Sequence, residues 1–430
     1  MAPIHQILEE IGSGRANALL NTLYGDRSGM LKKQAERYTQ AIREFQSLYP
    51  SQTNVELFSS PGRTEVGGNH TDHNGGRVLA AAVDLDIIAV VAQSRGNAIR
   101  ITSEGYSQDT VDLDQLAPVE SEKYASAALT RGVCSRMKAL GYSIGGFDAY
   151  VTSTIPKGAG LSSSAAFEVL VAVIENELYN TGRLDAVLRA QIAQYAENNF
   201  FGKPCGLEDQ STCAVGGFVT IDFKDFEHPI IKKVDFDFGA SGYSMVIVDT
   251  GGNHANLNDD YVALEHEMKE VARAFGGRVL REFSKEKVLS SIPFLRTRVN
   301  DRAILRAIHF YDDDQRVVEQ VQALEQKKFG RFLSLVIESG YSSWMLCQNC
   351  MLNQNYEEQG VTIGLITSEN LLKGRGAWRV HGGGFAGTIQ VFVPNDYLEK
   401  YMGALSSIFG AGACHELTIR PAGAERLRVV

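Results

Sequence analysis

Residues 158–166 read Gly158-Ala159-Gly160-Leu161-Ser162-Ser163-Ser164-Ala165-Ala166. Glycines give way to serines, and the serines to apolar residues at Ala166, Val169, Leu170, Val173, Ile174 and Leu178, three or four apart. That spacing predicts a helix fed directly by the loop. The first N–H groups of a helix lack partners within it, and its dipole favours negative charge there. A phosphate chain is the natural guest. Glycine lets the backbone approach it, and three hydroxyls can donate to phosphate oxygens or ligate magnesium. The usual phosphate loop ends in Gly-Lys-Ser/Thr; here Pro156-Lys157 precedes the glycines instead. A capped core helix after a tight turn is the other reading of this run taken alone.

Working outward, 430 residues allow two domains of ordinary size. Apolar residues at 44% and charged residues at 22% are ordinary globular composition. A net charge of −9 does not suggest a nucleic-acid surface. The opening MAPIHQILEEIG carries acids where a secretory signal carries bases. No run reaches the roughly eighteen apolar residues of a membrane span, so a soluble cytoplasmic protein is expected, its oligomeric state left open. Six cysteines do not make a disulfide framework in a chain this long. Cys347 and Cys350 form a C-x-x-C pair, read as two reduced cysteines near a helix because nothing completes a zinc site.

Periodicity predicts a helix over 30–48, with Tyr38, Ile42 and Phe45 on one face, and a buried strand over 78–92 (VLAAAVDLDIIAVVA). A strand over 146–155 precedes the helix at 163–180, and another helix covers 185–200. Strands follow at 217–223 and 244–249, then an amphipathic helix at 260–275. Further strands are expected at 377–381, 387–393 and 416–420. Helices segregated from short sheets point to the α+β class.

Three further segments carry chemistry. The run from Pro61 to Gly76 (PGRTEVGGNHTDHNGG) reads as a polar loop bracketed by glycines. Asp72 accepts hydrogen bonds, Asn69 both donates and accepts, and His70 offers either, which suits a ligand rich in hydroxyls. An Asx-rich turn explains the same residues. In Gly202-Lys203-Pro204-Cys205-Gly206-Leu207-Glu208-Asp209-Gln210, Asp209 reads as a loop aspartate able to orient or deprotonate an attacking hydroxyl; a helix cap or solvated turn is the alternative. His381-Gly382-Gly383-Gly384-Phe385-Ala386-Gly387 is a glycine cluster between two strands, equally a flexible turn.

Taken in this order the segments resemble the GHMP kinases, and within them the galactokinases. Those proteins carry a first motif close to G-R-V-N-L-I-G-E-H-T-D-Y-N-G-G, where this chain has GRTEVGGNHTDHNGG. Their P-x-G-A-G-L-S-S-S-A is PKGAGLSSSAA here; A-E-x-x-F-x-G-x-P-C-G-I-M-D-Q is AENNFFGKPCGLEDQ, residues 196–210; and G-G-G-F-G-G is GGGFAG. The resemblance covers about residues 35 to 420. It implies a two-lobed fold, an N-terminal ribosomal-S5-domain-2-like lobe and a C-terminal ferredoxin-like lobe with the active site between them. The expected division is a helical extension over 1–34, a first lobe over 35–225 and a second over 226–430.

The resemblance also implies ATP and Mg²⁺ as cofactors and roles for particular residues. Asp209 and Arg63 match the catalytic pair, and Ser164 and Glu197 the magnesium ligands. Gly158, Ala159, Gly160, Leu161, Ser162, Ser163 and Ser164 match the ATP phosphate loop. Asn69, His70, Asp72, Gly206 and Tyr261 match sugar contacts. The implied reaction is transfer of the ATP γ-phosphoryl to the anomeric hydroxyl of galactose.

Departures bear on the substrate. Asn69 stands where galactokinases hold a glutamate, and His73 where they hold a tyrosine. A sugar carboxylate would meet like charge from that glutamate, about 4 kcal/mol at 4 Å and an effective dielectric of 20. Asn69 removes it, so a galacturonate or other modified-sugar 1-kinase is the alternative. A catalytically silent sugar sensor and a kinase of a non-sugar alcohol are weaker ones, since Arg63, Glu197, Asp209 and the sugar motifs are all present.

Overall fold

The computed structural model describes residues 1–156, 160–252, 257–352 and 355–429, with the backbone alone of Asn258. The chain divides into two compact units, one of Met1–Arg63, Ala82–Gly217 and Ile419–Val430, the other of Thr64–Ala81 and Phe218–Thr418. Lys157, Gly158 and Ala159 of the expected phosphate loop lie outside the described residues.

The first unit opens with β1 (Ala2–Pro3), α1 (Ile4–Gly12), α2 (Asn17–Tyr24) and α3 (Met30–Leu48). Long strands β2 (Asn54–Gly67) and β3 (Arg77–Gln93) follow, then β4 (Ala98–Ser103), β5 (Asp109–Asp112), α4 (Ser126–Ala139) and β6 (Phe147–Ser153). The strand order is β1-β2-β3-β6-β4-β5, and the C-terminal β13 (Glu425–Leu427) pairs with β2. β3 and β6 run antiparallel, β4 and β6 parallel. Helices α5 (Ser163–Tyr179), α6 (Ala186–Ala196) and α7 (Glu208–Val215) complete the unit. Helix α5 is buried from Ala165 through Asn176 without a break, the property of a core helix rather than a surface one.

The 3–4 spacing of Ile4, Ile7 and Ile11, and of Tyr38, Ile42 and Phe45, sets one apolar stripe on α1 and one on α3. Both stripes pack with Val55, Leu57, Ile88 and Val90 from the sheet. In the middle of this core stands a charge, Asp86 on β3, with no exposed surface. Arg37 Nη1 donates to its Oδ1 at 2.6 Å, and Tyr24 OH and Arg420 Nη1 to its Oδ2 at 2.6 and 3.2 Å. Burial by itself would raise its pKa, but Arg37 and Arg420 hold it below the usual carboxylate value.

The second unit carries the antiparallel sheet β10 (Ala377–Val380), β11 (Thr388–Pro394), β9 (Tyr243–Asp249) and β12 (Cys414–Leu417), in that order. The first residues of β3 pair with β7 (Phe218–Asp222), which pairs with β8 (Ile230–Val234). The helices are α8 (Asn258–Ala274), the short α9 (Lys285–Ser290) and α10 (Ile292–Leu295), α11 (Asp301–Glu325), α12 (Phe329–Ser342), α13 (Gly360–Leu372) and α14 (Leu398–Phe409). The class is α+β, as expected. Three readings need correction. Pro61 through Gly67 are strand, the end of β2, and not loop; the segment turns only from Gly68 on, with φ of +85°. Asp209 lies in the first turn of α7 and not on a loop. The strand expected at 416–420 ends at Leu417, and Ile419 makes an isolated bridge to Val83 instead.

Removing the charge on Asp86 leaves two buried guanidinium groups without their carboxylate. Asp86→Asn is expected to cost about 3–5 kcal/mol of stability, read from urea unfolding at pH 7. The lowered pKa sets the pH sign: the contribution is complete above the unfolded aspartate value of about 3.9 and is lost as pH falls through the lower folded value. The gap between wild type and variant should therefore close below about pH 4.

Candidate functional site

Within the first unit, three segments distant in sequence meet at one carboxylate. Arg63 comes from β2, Ser162 from the turn into α5, and Asp209 from the first turn of α7. Arg63 Nε donates to Asp209 Oδ1 at 2.7 Å, and Ser162 Oγ to Asp209 Oδ2 at 2.6 Å. Arg63 Nη1 donates to the Gly160 carbonyl at 2.8 Å, and the Arg63 N–H to the Leu161 carbonyl at 3.2 Å. A side chain on Gly62 would sit 2.8 Å from that Leu161 oxygen, so the strand position next to Arg63 has room only for glycine. Arg63, Gly160, Ser162, Ser164, Lys203 and Asp209 line a cavity of about 240 Å³ at the start of α5. Two cations, Arg63 and Lys203, and a helix N-terminus make it suited to phosphate oxygens.

Behind the cavity Ser164 Oγ donates to Glu197 Oε1 at 2.9 Å. Glu197 opens a π-helical turn, Glu197–Phe201, that extends α6. Gln210 Nε2 donates at 2.8 Å to both Glu197 Oε2 and Glu168 Oε1. Burial, and then the neighbouring Glu197, raise the Glu168 pKa well above the ordinary carboxylate value. Among the described residues no group of three or more His, Cys, Asp or Glu could hold a metal ion. Ser164 and Glu197 supply two oxygen donors, which suits an ion that completes its shell with phosphates and water.

In the second unit, the glycine cluster between β10 and β11 is tied down at three successive carbonyls. Asn69 Nδ2 donates to Gly382 O at 2.8 Å, the His70 ring bonds Gly383 O at 3.0 Å, and Tyr261 OH donates to Gly384 O at 3.1 Å. Side chains at Gly383 and Gly384 would collide with the Tyr261 ring and the Asn349 carbonyl. Asn69 is fully buried, and every polar atom of its side chain is engaged. Its Nδ2 also donates to Glu65 Oε1 at 3.0 Å, and its Oδ1 accepts from Asn349 Nδ2 at 2.8 Å and Ser343 Oγ at 3.3 Å. Arg379, also fully buried, donates to the same Glu65 oxygen at 2.8 Å.

Asp72 is half-buried and makes no side-chain hydrogen bond among the described residues. His73 is half-buried, and its Nε2 is buried and without a partner among the described residues. Burial pulls its pKa down to about 4, with His70 adding to the shift, so the ring is neutral at pH 7. Gly206 is exposed, on the turn before α7 in the first unit. Ala386 is not among the residues with positive φ, so its departure from glycine meets no backbone penalty; Phe385 beside it has φ of +64°. Cys347 and Cys350 are buried free thiols.

Against known proteins, residues 127–217 match the GHMP kinases N terminal domain, and residues 43–93 the galactokinase galactose-binding signature. The chain is similar to the GHMP kinases and, among them, to galactokinases. It is 29% identical over 372 residues to the galactokinase of Streptomyces coelicolor, an alignment covering 85% of the chain and 92% of that protein. It is 27% identical over 371 residues to the galactokinase of Clostridium tetani, covering 85% and 90%. Among solved structures, Lactococcus lactis galactokinase complexed with galactose superposes with a TM-score of 0.76 at 22% identity, over 91% of this chain and all of that one. The mevalonate kinase of Methanococcus jannaschii reaches 0.59 at 15% identity, over 85% and 98%. The fold is the two-lobed GHMP kinase fold.

Of the residues singled out by sequence, Arg63, Gly160, Leu161, Ser162, Ser163, Ser164, Glu197 and Asp209 are gathered in the first unit; Asn69, His70 and Tyr261 meet at the glycine cluster in the second. Sequence reasoning missed Glu65, Glu168, Gln210, Asn349 and Arg379. Gln210 stood next to Asp209 in the quoted motif, and Glu168 lies one helical turn beyond Ser164, so both carried a signal. Asn69→Ala would strand the Gly382 carbonyl and one N–H of the Asn349 amide, whose other bond is to Gly383 O. A loss of about 1–3 kcal/mol per stranded group is expected in urea unfolding.

Proposed function

We propose that this protein is a galactokinase, transferring the γ-phosphoryl of ATP to the anomeric hydroxyl of galactose to give galactose 1-phosphate. The chain is an ATP-dependent sugar kinase by its family and its galactokinase motif. The observation that carries the reading is Asp209, bonded on one oxygen by Arg63 at 2.7 Å, at the edge of the cavity that the start of α5 opens. In the proposed reaction Asp209 accepts the proton of the sugar hydroxyl as its oxygen bonds to the γ-phosphorus, and the bond from phosphorus to the β-phosphate bridge breaks to release ADP. Arg63 presents fixed donors to the equatorial phosphoryl oxygens, where charge accumulates. The N–H groups of α5 and the hydroxyl of Ser163 hold the phosphate chain, with Gly158, Ala159, Gly160 and Leu161 as its backbone. Mg²⁺ would be held by Ser164 and Glu197, and when bound it neutralises phosphate charge. His70, Asp72, Tyr261 and the Gly206 backbone are the proposed sugar contacts.

The choice between galactose and galacturonate turned on the neutral Asn69. Glu65 lies 3.0 Å from the Asn69 amide, but its carboxylate is ion-paired with Arg379, so it does not replace the missing charge. What favours galactose is the match of residues 43–93 to the galactokinase galactose-binding signature. The intact Arg63–Asp209 and Ser164–Glu197 pairs favour a working kinase over a silent sensor.

ADP release with ATP, Mg²⁺ and either galactose or galacturonate at equal concentration tests the substrate. Galactose should be turned over at least tenfold faster, and preference for galacturonate would overturn the reading. Asp209→Asn should lower kcat by at least about 10²-fold; near-normal turnover would remove Asp209 as the base.

A further inference from the structure

A serine just ahead of a helix ordinarily turns its oxygen back to accept a hydrogen bond from the second or third helical N–H. Ser162 precedes α5 in this way, yet its side chain makes no capping hydrogen bond. Its backbone is left-handed, φ +57° and ψ +55°, a conformation that suits glycine and strains other residues. Two local preferences are thus overridden at one residue. What the conformation achieves is on the other side of the side chain: the hydroxyl donates to Asp209 Oδ2 at 2.6 Å.

The surroundings hold that arrangement. Gly160 and Leu161, the two residues before Ser162, accept from the guanidinium and the backbone N–H of Arg63, and Arg63 in turn binds the other oxygen of Asp209. Leu161 is buried and anchors the turn. The carboxylate is therefore gripped on both oxygens by groups from one loop and the strand it wraps. Oδ1 takes both Nε and Nη2 of Arg63, and Oδ2 keeps a second acceptor site for an incoming hydroxyl. Ser162 therefore takes none of the first N–H groups of α5 with its side chain.

We propose that Ser162 is a positioning residue for Asp209, and not a phosphate ligand as its place in the loop suggests. It couples the aim of the base to the shape of the phosphate loop, so that Asp209 is oriented only when the loop is formed. The inference rests on Asp209 acting as the base in the proposed kinase reaction.

Ser162→Gly separates this role from a structural one, because glycine takes φ +57° without strain and lacks only the hydroxyl. Its melting temperature should equal or exceed that of the wild type, while kcat with galactose falls about 10²-fold, the scale of a misplaced reacting group. KM for ATP and for galactose should stay within about threefold. Ser162→Ala, which keeps the strain, should show the same loss of kcat at a lower melting temperature. Placed on Asp209→Asn, Ser162→Gly should have no further effect, since residues acting as one unit are not additive. A kcat within twofold of wild type would overturn the proposal, as would a raised KM for ATP at unchanged kcat, the mark of a phosphate ligand. If Asp209→Asn itself keeps full activity, it is the reading of the base that fails, a result obtained independently of Ser162.

Discussion

Three arginines without exposed surface, Arg306, Arg379 and Arg420, set the terms on which this chain folds. A guanidinium cannot shed its charge, so each must be met by a carboxylate or left at a cost of several kcal/mol. Glu267 meets Arg306 at 2.9 Å, Glu65 meets Arg379 at 2.8 Å, and Asp86 meets Arg420 at 3.2 Å while also taking Arg37. Each pair joins residues far apart in sequence, from 39 positions for Glu267 and Arg306 to 334 for Asp86 and Arg420. A compact state that misplaced any of these elements would bury an unpaired charge. The pairs thus act on which packing survives as much as on how stable it is.

The same logic shapes the chemistry. Glu65 satisfies Arg379 and the Asn69 amide with one oxygen, and Asn69 spends its remaining valences on Asn349, Ser343 and Gly382. A residue so engaged has nothing left to offer a ligand; its work is to hold the glycine cluster still. Three glycines in a row would otherwise be the most mobile stretch of a chain. Here their carbonyls are held in succession by Asn69, His70 and Tyr261, and the absence of side chains serves close approach. At Asp209 the economy is similar, with Arg63 and Ser162 dividing the two oxygens between them.

Much of this was legible in advance where the signal was local. The helix at Ser163–Tyr179 and the strand at Arg77–Gln93 follow from periodicity, since each is long and strongly apolar. The residues around Asp209 were legible because chemistry-bearing side chains stood beside glycines at motif spacing. What misled was composition. Pro61 to Gly67 is rich in glycine and polar groups and reads as loop, yet it is the end of a long strand whose polar side chains find partners inside the fold. Asp209 reads as a loop residue because Pro204 and Gly206 break the pattern before it, and the short α7 they precede has little periodicity to show.

The sequence by itself determined the element types, the family pattern and the inventory of groups able to bind phosphate, take a proton or ligate an oxygen-loving ion. These depend on residue identity and on neighbours within a turn or two, which a linear string contains. The tertiary structure alone decided which of those groups have valences to spare. Asn69 is consumed, Ser162 is turned from a helix cap to a carboxylate donor, and Glu65 is taken up by Arg379. Such outcomes follow from hydrogen-bond partners contributed by segments up to about three hundred positions away, and a buried polar group takes whatever partner the fold brings within 3 Å.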